Sequence, residues 1–189
     1  MKKLILGITL YCCLSIQATS NDIVTNIEDI WNQIDSMSGQ FQQTDADGNV
    51  LFGNFYFLKP HKSKFVYTNK KENIITNESL LVIVDQEGYK IESYAIGNNI
   101  LKNLLSNEIS INKEFDLINL KTDDSHHVLQ LKLRNESSDN KVHVFFDKET
   151  LDLKKWQIFD EFNNKTVLEF TKIKKNIFIS QNLFVVKYK

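Results

Sequence analysis

The sequence has little of what most reactions are built from. Cysteine occurs only as Cys12 and Cys13, both ahead of the point where a mature chain is expected to begin. Thiol catalysis, thiolate metal sites and a disulfide framework are therefore excluded from the folded part. Pro60 is the single proline and glycine is scarce, so no linker divides the chain. No glycine-rich phosphate loop, Gly-x-Ser-x-Gly elbow or His-Glu-x-x-His helix is present. With 23 basic residues against 24 acidic, the net charge is −1. That balance removes any global electrostatic reason to bind nucleic acid or an anionic membrane surface. The adjacent His126 and His127 point to opposite faces of a strand and cannot share a metal there. His127 with His143 across a hairpin is the one remaining pair to consider. Acidic pairs such as Asp123-Asp124 and Asp160-Glu161 sit where turns are expected and read as solvated turn residues. No cofactor, metal or catalytic residue is expected.

What is present is apolar bulk. The 189 residues are 42 % hydrophobic and include 13 Phe, enough for one sizeable core. Residues 1–20 read as a signal peptide: Lys2 and Lys3, an apolar run from Leu4 to Ile16, then the small residues Ala18 and Ser20. Export is the expectation, with residues 21–189 forming a single domain. Ile23, Ile27, Ile30, Trp31 and Ile34 recur at helical spacing, with Asn21 or Asp22 to cap the start and Gly39 just past the end. After them come strands at about 40–45, 49–58, 64–68, 72–77, 80–85 and 89–95. The stretch 97–121 interrupts them: Ile100, Leu101, Leu104 and Leu105 suit a short helix, and Phe115 to Leu120 read as irregular. Further strands are expected at about 127–134, 141–147, 151–160, 165–173 and 183–188. Antiparallel hairpins with a few helices predict a mainly β fold, a strongly curved sheet or unclosed antiparallel β-barrel lidded by short helices.

Several of these strands are apolar on both faces. Leu51 to Leu58 carries aromatics at odd and even positions, and Leu80 to Val84 is apolar throughout. Either both faces are buried, one by helices and one by other strands, or one concave face lines an apolar cavity. The pattern leaves both open. Strand parity puts Phe55, Phe57 and Lys59 on one face, and likewise Phe65 with Tyr67 and Val82 with Val84. With Ile27, Trp31 and Ile34 of the first helix, the apolar members of these sets are the candidate lining of an apolar cleft. On that assignment Phe57→Glu is expected to impair loading without unfolding the chain.

Four stretches, in order, resemble the outer-membrane lipoprotein carrier family, LolA. They are Ser38-Gly39-Gln40-Phe41-Gln42-Gln43; Gly53 to Pro60; Lys64-Phe65-Val66-Tyr67 with Ile74 to Val84; and Leu151 to Asp160 with Thr166 to Phe170. The resemblance implies an unclosed barrel lidded by helices, acting as a monomeric periplasmic chaperone. It implies as partners triacylated lipoproteins, the inner-membrane ABC transporter that releases them, and a LolB-like receptor lipoprotein in the outer membrane. It also implies a gating role for Lys59, which stands where the family has an Arg that holds the lid. Lys offers three donors on a flexible stem instead of a planar fork, so a looser lid is expected. Ser63 stands where the family tends to have an aromatic. Alternatives remain: a membrane-anchored, LolB-like receptor, whose mature chain would start at acylated Cys13, or a periplasmic lipoprotein-sensing interaction module.

Overall fold

A computed structural model describes residues 20–96, 100–134 and 140–188. The expected signal peptide, apart from Ser20, and the expected loop at 135–139 lie outside the described residues. The chain opens with helix α1 (Ser20–Asn32) and runs through β1 (Ser36–Thr44), β2 (Val50–Leu58), β3 (Lys62–Tyr67), β4 (Glu72–Asn77), β5 (Leu80–Asp85) and β6 (Lys90–Ala95). Two short helices follow, α2 (Ile100–Leu104) and α3 (Ile111–Glu114). Then come β7 (Phe115–Thr122), β8 (His126–Leu133), β9 (Lys141–Asp147), β10 (Leu153–Phe159) and β11 (Lys165–Lys175), and a 3-10 turn at Gln181–Phe184.

All these strands join one antiparallel, 11-stranded sheet in the order β6-β5-β4-β3-β2-β1-β11-β10-β9-β8-β7. The sheet is curved and unclosed, with β6 and β7 as its edges. The order dictates the lid. The chain walks outward from β1 to one edge, must reach the opposite edge, and then walks back to β11 beside β1. The connecting segment that holds α2 and α3 packs against the core on the concave side.

Five of the hairpin turns share one device. Asp45 Oδ1 accepts from the amides of Asp47 (3.0 Å) and Asn49 (2.9 Å). Asp85, Asp123, Asp147 and Asp160 repeat the pattern at their own turns. Hydrogen bonding to the charged form, first from the Thr150 amide, holds the Asp147 carboxyl down at about 2.

Three expectations are corrected. The first helix ends at Asn32, so Gly39 is not its cap but lies inside β1, where the register with β11 shifts between Ser38 and Gln40. The stretch from Phe115 is regular: it forms β7, whose pairing with β8 slips between Leu117 and Asn119, and that slip breaks the alternation a strand would show. The last apolar run is not a strand. The 3-10 turn at Gln181–Phe184 packs Phe184 onto Ile75, Val82 and Val84 of the convex face, with Leu183 and Val186 alongside. β2 is thus buried on both sides along Phe55 to Leu58, the concave side within the main core and the convex side, with Val82 and Val84 of β5, beneath the C-terminal segment.

Close strand approach explains Gly53. A Cβ there would lie 2.1 Å from the Val66 carbonyl oxygen and 2.7 Å from the Phe41 ring. Gly53→Ala is expected to destabilise the fold by about 1–3 kcal/mol through overpacking. The check is a lower urea midpoint with an unchanged m-value; an unchanged midpoint would mean β2 and β3 are not held this close.

Candidate functional site

The concave face is an aromatic and aliphatic floor. Antiparallel partners point the same way, so the pairs Phe55 with Phe65 and Phe65 with Ile74 place β2, β3 and β4 side chains on one surface. Phe41 faces the same space and meets the rings of Phe65 and Tyr67 edge-on, at 5.2 Å each. From the other half of the sheet come Trp156, Phe170, Val142 and Val144. Phe57 stacks on Trp156, with centroids 5.6 Å apart and an interplanar angle of 11°. Phe170 meets Trp156 edge-on at 4.9 Å.

Helix α1 is seated in this concavity. Val24, Ile27 and Trp31 form its buried stripe, and Ile34 continues it just past the helix end. The lid is closed by polar groups at the rim. Trp31 Nε1 donates to the Leu104 carbonyl (2.7 Å). The Asn32 amide donates to the Ile109 carbonyl (3.0 Å) and its oxygen accepts from the Ile109 N–H (2.8 Å). A Glu28 carboxylate oxygen accepts from the Ile111 N–H at 2.5 Å. On the far side, the His61 backbone N–H donates to the Leu105 carbonyl (2.7 Å), and its Nδ1 donates to the Lys102 carbonyl (2.9 Å). The short helices are therefore fastened to both α1 and the β2–β3 turn.

Lys59 sits at the centre of this rim. Its Nζ donates to the Trp31 carbonyl (2.7 Å) and lies 5.7 Å from the Trp31 ring centroid. The carbonyls of a helix's last turn lack intrahelical donors and carry partial negative charge, so an ammonium is well placed there. Burial pushes the Lys59 pKa down to about 8, against an opposing pull from Asp35. Burial also raises Tyr67 to about 12, and its hydroxyl donates to Gln43 Oε1 at 2.7 Å.

The structure brings Ile27, Trp31, Ile34, Phe55, Phe57, Phe65 and Tyr67 into one buried cluster, with Lys59 at its rim. Val82 and Val84 are not part of it. Ile75 pairs with Val82 and with Lys64, which pairs with Tyr56; these residues form the convex face, opposite Phe55 and Phe65. Parity within each strand is right, but the register across β4 places the other set, Leu81 and Ile83, on the concave side. Phe57 is 2 % exposed and wedged against Trp156, so Phe57→Glu would bury an unpaired carboxylate and cost the fold, not loading alone. Ser63 is fully buried and shares a hydrogen bond of 2.5 Å with the Thr76 hydroxyl. A satisfied hydroxyl pair stands there in place of a ring.

The sequence reading missed the contribution of β8 to β11. Its signal is present in the alternation Leu129, Leu131, Leu133 and Val142, Val144, Phe146. His127 and His143 lie on opposite faces, since His143 pairs with Gln130 and His127 with Phe146. Among the described residues no cluster of His, Cys, Asp and Glu could hold a metal ion. Nor is any helix among them long and apolar enough to cross a membrane.

The side chains do not fill the concavity completely. A pocket of about 350 Å³, open to solvent on one side, lies beside α2, lined by Ile100, Leu101, Leu104, Val142, Trp156 and Ile158, with Asn140 and Asp160 also contributing. A void of only about 10 Å³ lies deeper, between α1 and the sheet. Trp156 borders both, and its buried Nε1 has no hydrogen-bond partner among the described residues. An unmade bond of that kind costs about 1–3 kcal/mol.

The family model of the outer membrane lipoprotein carrier protein LolA matches residues 32–187. No curated protein matches the chain. Among solved structures, an uncharacterized conserved protein from Thermus thermophilus has a TM-score of 0.51 at 9 % identity, with 90 % of this chain and 100 % of that one covered. A putative outer membrane lipoprotein-sorting protein domain from Vibrio parahaemolyticus also has a TM-score of 0.51 at 9 % identity, covering 86 % of this chain and 94 % of that one. MucB of Pseudomonas aeruginosa, in its complex with MucA, has a TM-score of 0.47 at 10 % identity over 87 % of this chain; this chain spans 60 % of that one. At these identities the likeness is one of fold.

Lys59 gives a pH signature. Its folded pKa lies below the ordinary lysine value, so between about 8 and 10.5 the folded state holds fewer protons than the unfolded state. Stability contributed through Lys59 should therefore rise with pH across that window, the cost of burying the ammonium being fully present below it. Urea unfolding of the wild type and Lys59→Met at pH 7 and pH 10 checks this: the wild type should gain relative to the variant. A constant difference would mean that Lys59 is not desolvated at the rim.

Proposed function

Since the chain belongs to the outer membrane lipoprotein carrier family LolA, we propose that it is a periplasmic carrier of lipoprotein acyl chains. In this reading it receives lipoproteins at the inner membrane from a releasing ABC transporter and delivers them to the outer membrane, to a LolB-like receptor where one exists. One observation supports the reading above the rest. An apolar concave face is covered by helices whose fastening is a short row of hydrogen bonds at the rim.

The magnitudes fit a lid that cargo can displace. Each buried methylene is worth about 0.8 kcal/mol, so one long acyl chain gains on the order of 10 kcal/mol by leaving water. Each rim hydrogen bond contributes about 1 kcal/mol net, and together they amount to a few kcal/mol. The pocket of about 350 Å³ beside α2 is at the small end for ligand sites and cannot take three chains while α1 stays seated. Loading thus requires α1 and the α2–α3 segment to lift, and the closed form drives unloading by competing with the cargo. No nucleotide is needed at that step.

The test is release. Spheroplasts of a Gram-negative cell are incubated with the chain from Asn21 onward, and the supernatant is probed for a one-to-one complex with an outer-membrane lipoprotein. Release above that given by an unrelated periplasmic protein is expected; release no greater sinks the carrier reading. Asn32→Ala removes two rim bonds without altering the apolar lining. By weakening only the closed competitor it should slow hand-over of bound lipoprotein to outer-membrane vesicles by roughly fivefold. Unchanged hand-over would mean the rim bonds do not compete with cargo.

A further inference from the structure

Resting on the carrier reading and deepening it, we infer that α1 is hinged at residues 33–36 and that Asn176, at the head of the C-terminal segment, positions the hinge. Seating of that segment on the convex face and seating of α1 on the concave face are then one coupled event. The junction is short: α1 ends at Asn32 and β1 begins at Ser36. The rim bonds of Glu28, Trp31 and Asn32 run to the α2–α3 segment and break when α1 lifts. At the junction the partner is different. Asn176 Nδ2 donates to the Gln33 carbonyl (2.9 Å), and Asn176 Oδ1 accepts from the Asp35 N–H (2.8 Å). The Asn176 N–H donates to the Ser36 carbonyl (2.8 Å), and Ser36 Oγ donates to the Ile177 carbonyl (2.6 Å). The Lys59 N–H, from β2, donates to the Asp35 carbonyl (2.9 Å).

Asn suits this place. β11 pairs with β1 as far as Lys175 opposite Met37, and Asn176 then turns into the left-handed region at φ 52°, which Asn adopts more readily than most residues. The turn lays its planar amide along the exit of α1, where one donor and one acceptor act as a further rung of the strand ladder. That rung holds Gln33 and Asp35, on either side of Ile34. Lifting α1 changes the backbone angles between them, and both bonds cannot then be kept. Slack is small, since the void beside Ile34, Met37 and Lys59 is about 10 Å³. Beyond Asn176 the chain is committed to the convex face. Lys62 Nζ donates to Gln181 Oε1 (3.2 Å) and Lys64 Nζ to the Leu183 carbonyl (3.1 Å). Phe184 is buried there with Leu183 beside it. The Lys187 N–H donates to the Gly88 carbonyl and its carbonyl accepts from the Lys90 N–H, at 2.9 Å each. A seated segment holds Asn176 against the hinge, and a lifted α1 withdraws the contacts that fix Asn176. Two opposite faces therefore bias one two-state element.

Native-state hydrogen exchange of the ¹⁵N-labelled chain from Asn21 onward tests it. The Trp31 indole N–H, bonded to the Leu104 carbonyl, exchanges when α1 lifts. The Val144 amide, in β9 between β8 and β10, exchanges only when the sheet unfolds, so the ratio of the two rates reads the lid alone. Asn176→Gly keeps the left-handed backbone and removes the side-chain amide; it should raise the ratio roughly fivefold. Leu183→Ala alters a cluster that contains no α1 residue. It should raise the ratio roughly threefold in the wild type and leave it unchanged in Asn176→Gly, whose coupling is already lost. An unchanged ratio in Asn176→Gly, no effect of Leu183→Ala in the wild type, or an equal effect in both backgrounds would overturn the inference. If Asn176→Gly does not fold, Asn176→Asp, which keeps the acceptor and loses the donor, takes its place with a smaller rise expected and the same outcomes against it. No cargo enters these readouts. Lipoprotein release from spheroplasts with an unchanged ratio removes the hinge assignment only, and a raised ratio without release removes the carrier reading only.

Discussion

Everything in this molecule depends on a sheet that does not close. A closed barrel would satisfy its edges and shield its interior by itself. Here β6 and β7 do not pair, and the apolar floor between them must be covered by something else. The chain's path supplies the cover, because the link between the two edges and the helix ahead of the central strand both lie over the concavity. The cover adheres through an apolar stripe and is fixed in position by polar contacts at its margin. Adhesion without specific shape leaves room for other apolar matter in the same place; the marginal contacts are what make the unliganded arrangement a defined state.

Within that margin Lys59 holds a conflicted position. It is drawn to the α1 terminus by the Trp31 carbonyl and the Asp35 charge, and penalised by the removal of water. The penalty is the larger effect, as the depressed pKa shows. A guanidinium would spread its charge over a plane and reach several carbonyls; the ammonium makes its contact through a single point.

Much of the architecture is legible in the sequence because the sheet obeys simple alternation. Leu129, Leu131 and Leu133 point inward, as do Val142, Val144 and Phe146, and the Asp-led turns mark the ends of the strands. Failures come where a second contact overrides the local pattern. β7 reads as irregular because its pairing slips. The run from Leu183 to Val186 looks like a strand because it is apolar, yet its partner is the convex surface at Ile75, Val82 and Val84. For the same reason Val82 and Val84 look like cleft residues: burial by the C-terminal segment and burial by a lid leave the same mark in sequence. The orphaned Trp156 N–H carries no mark at all, since only packing reveals that a donor has nowhere to turn.

The adjacency of β1 and β11 has a consequence for assembly. Met37 lies opposite Lys175 and Phe41 opposite Phe170, so the seam at the middle of the sheet joins segments far apart in sequence. Loop-closure entropy must be met before that seam rewards it. Until then, two half-sheets present bare aromatic surfaces and unpaired strand edges to each other and to any other chain. The surface suited to greasy cargo is thus, until the seam forms, a surface suited to aggregation, and the pairing of β11 with β1 is the step that ends that exposure.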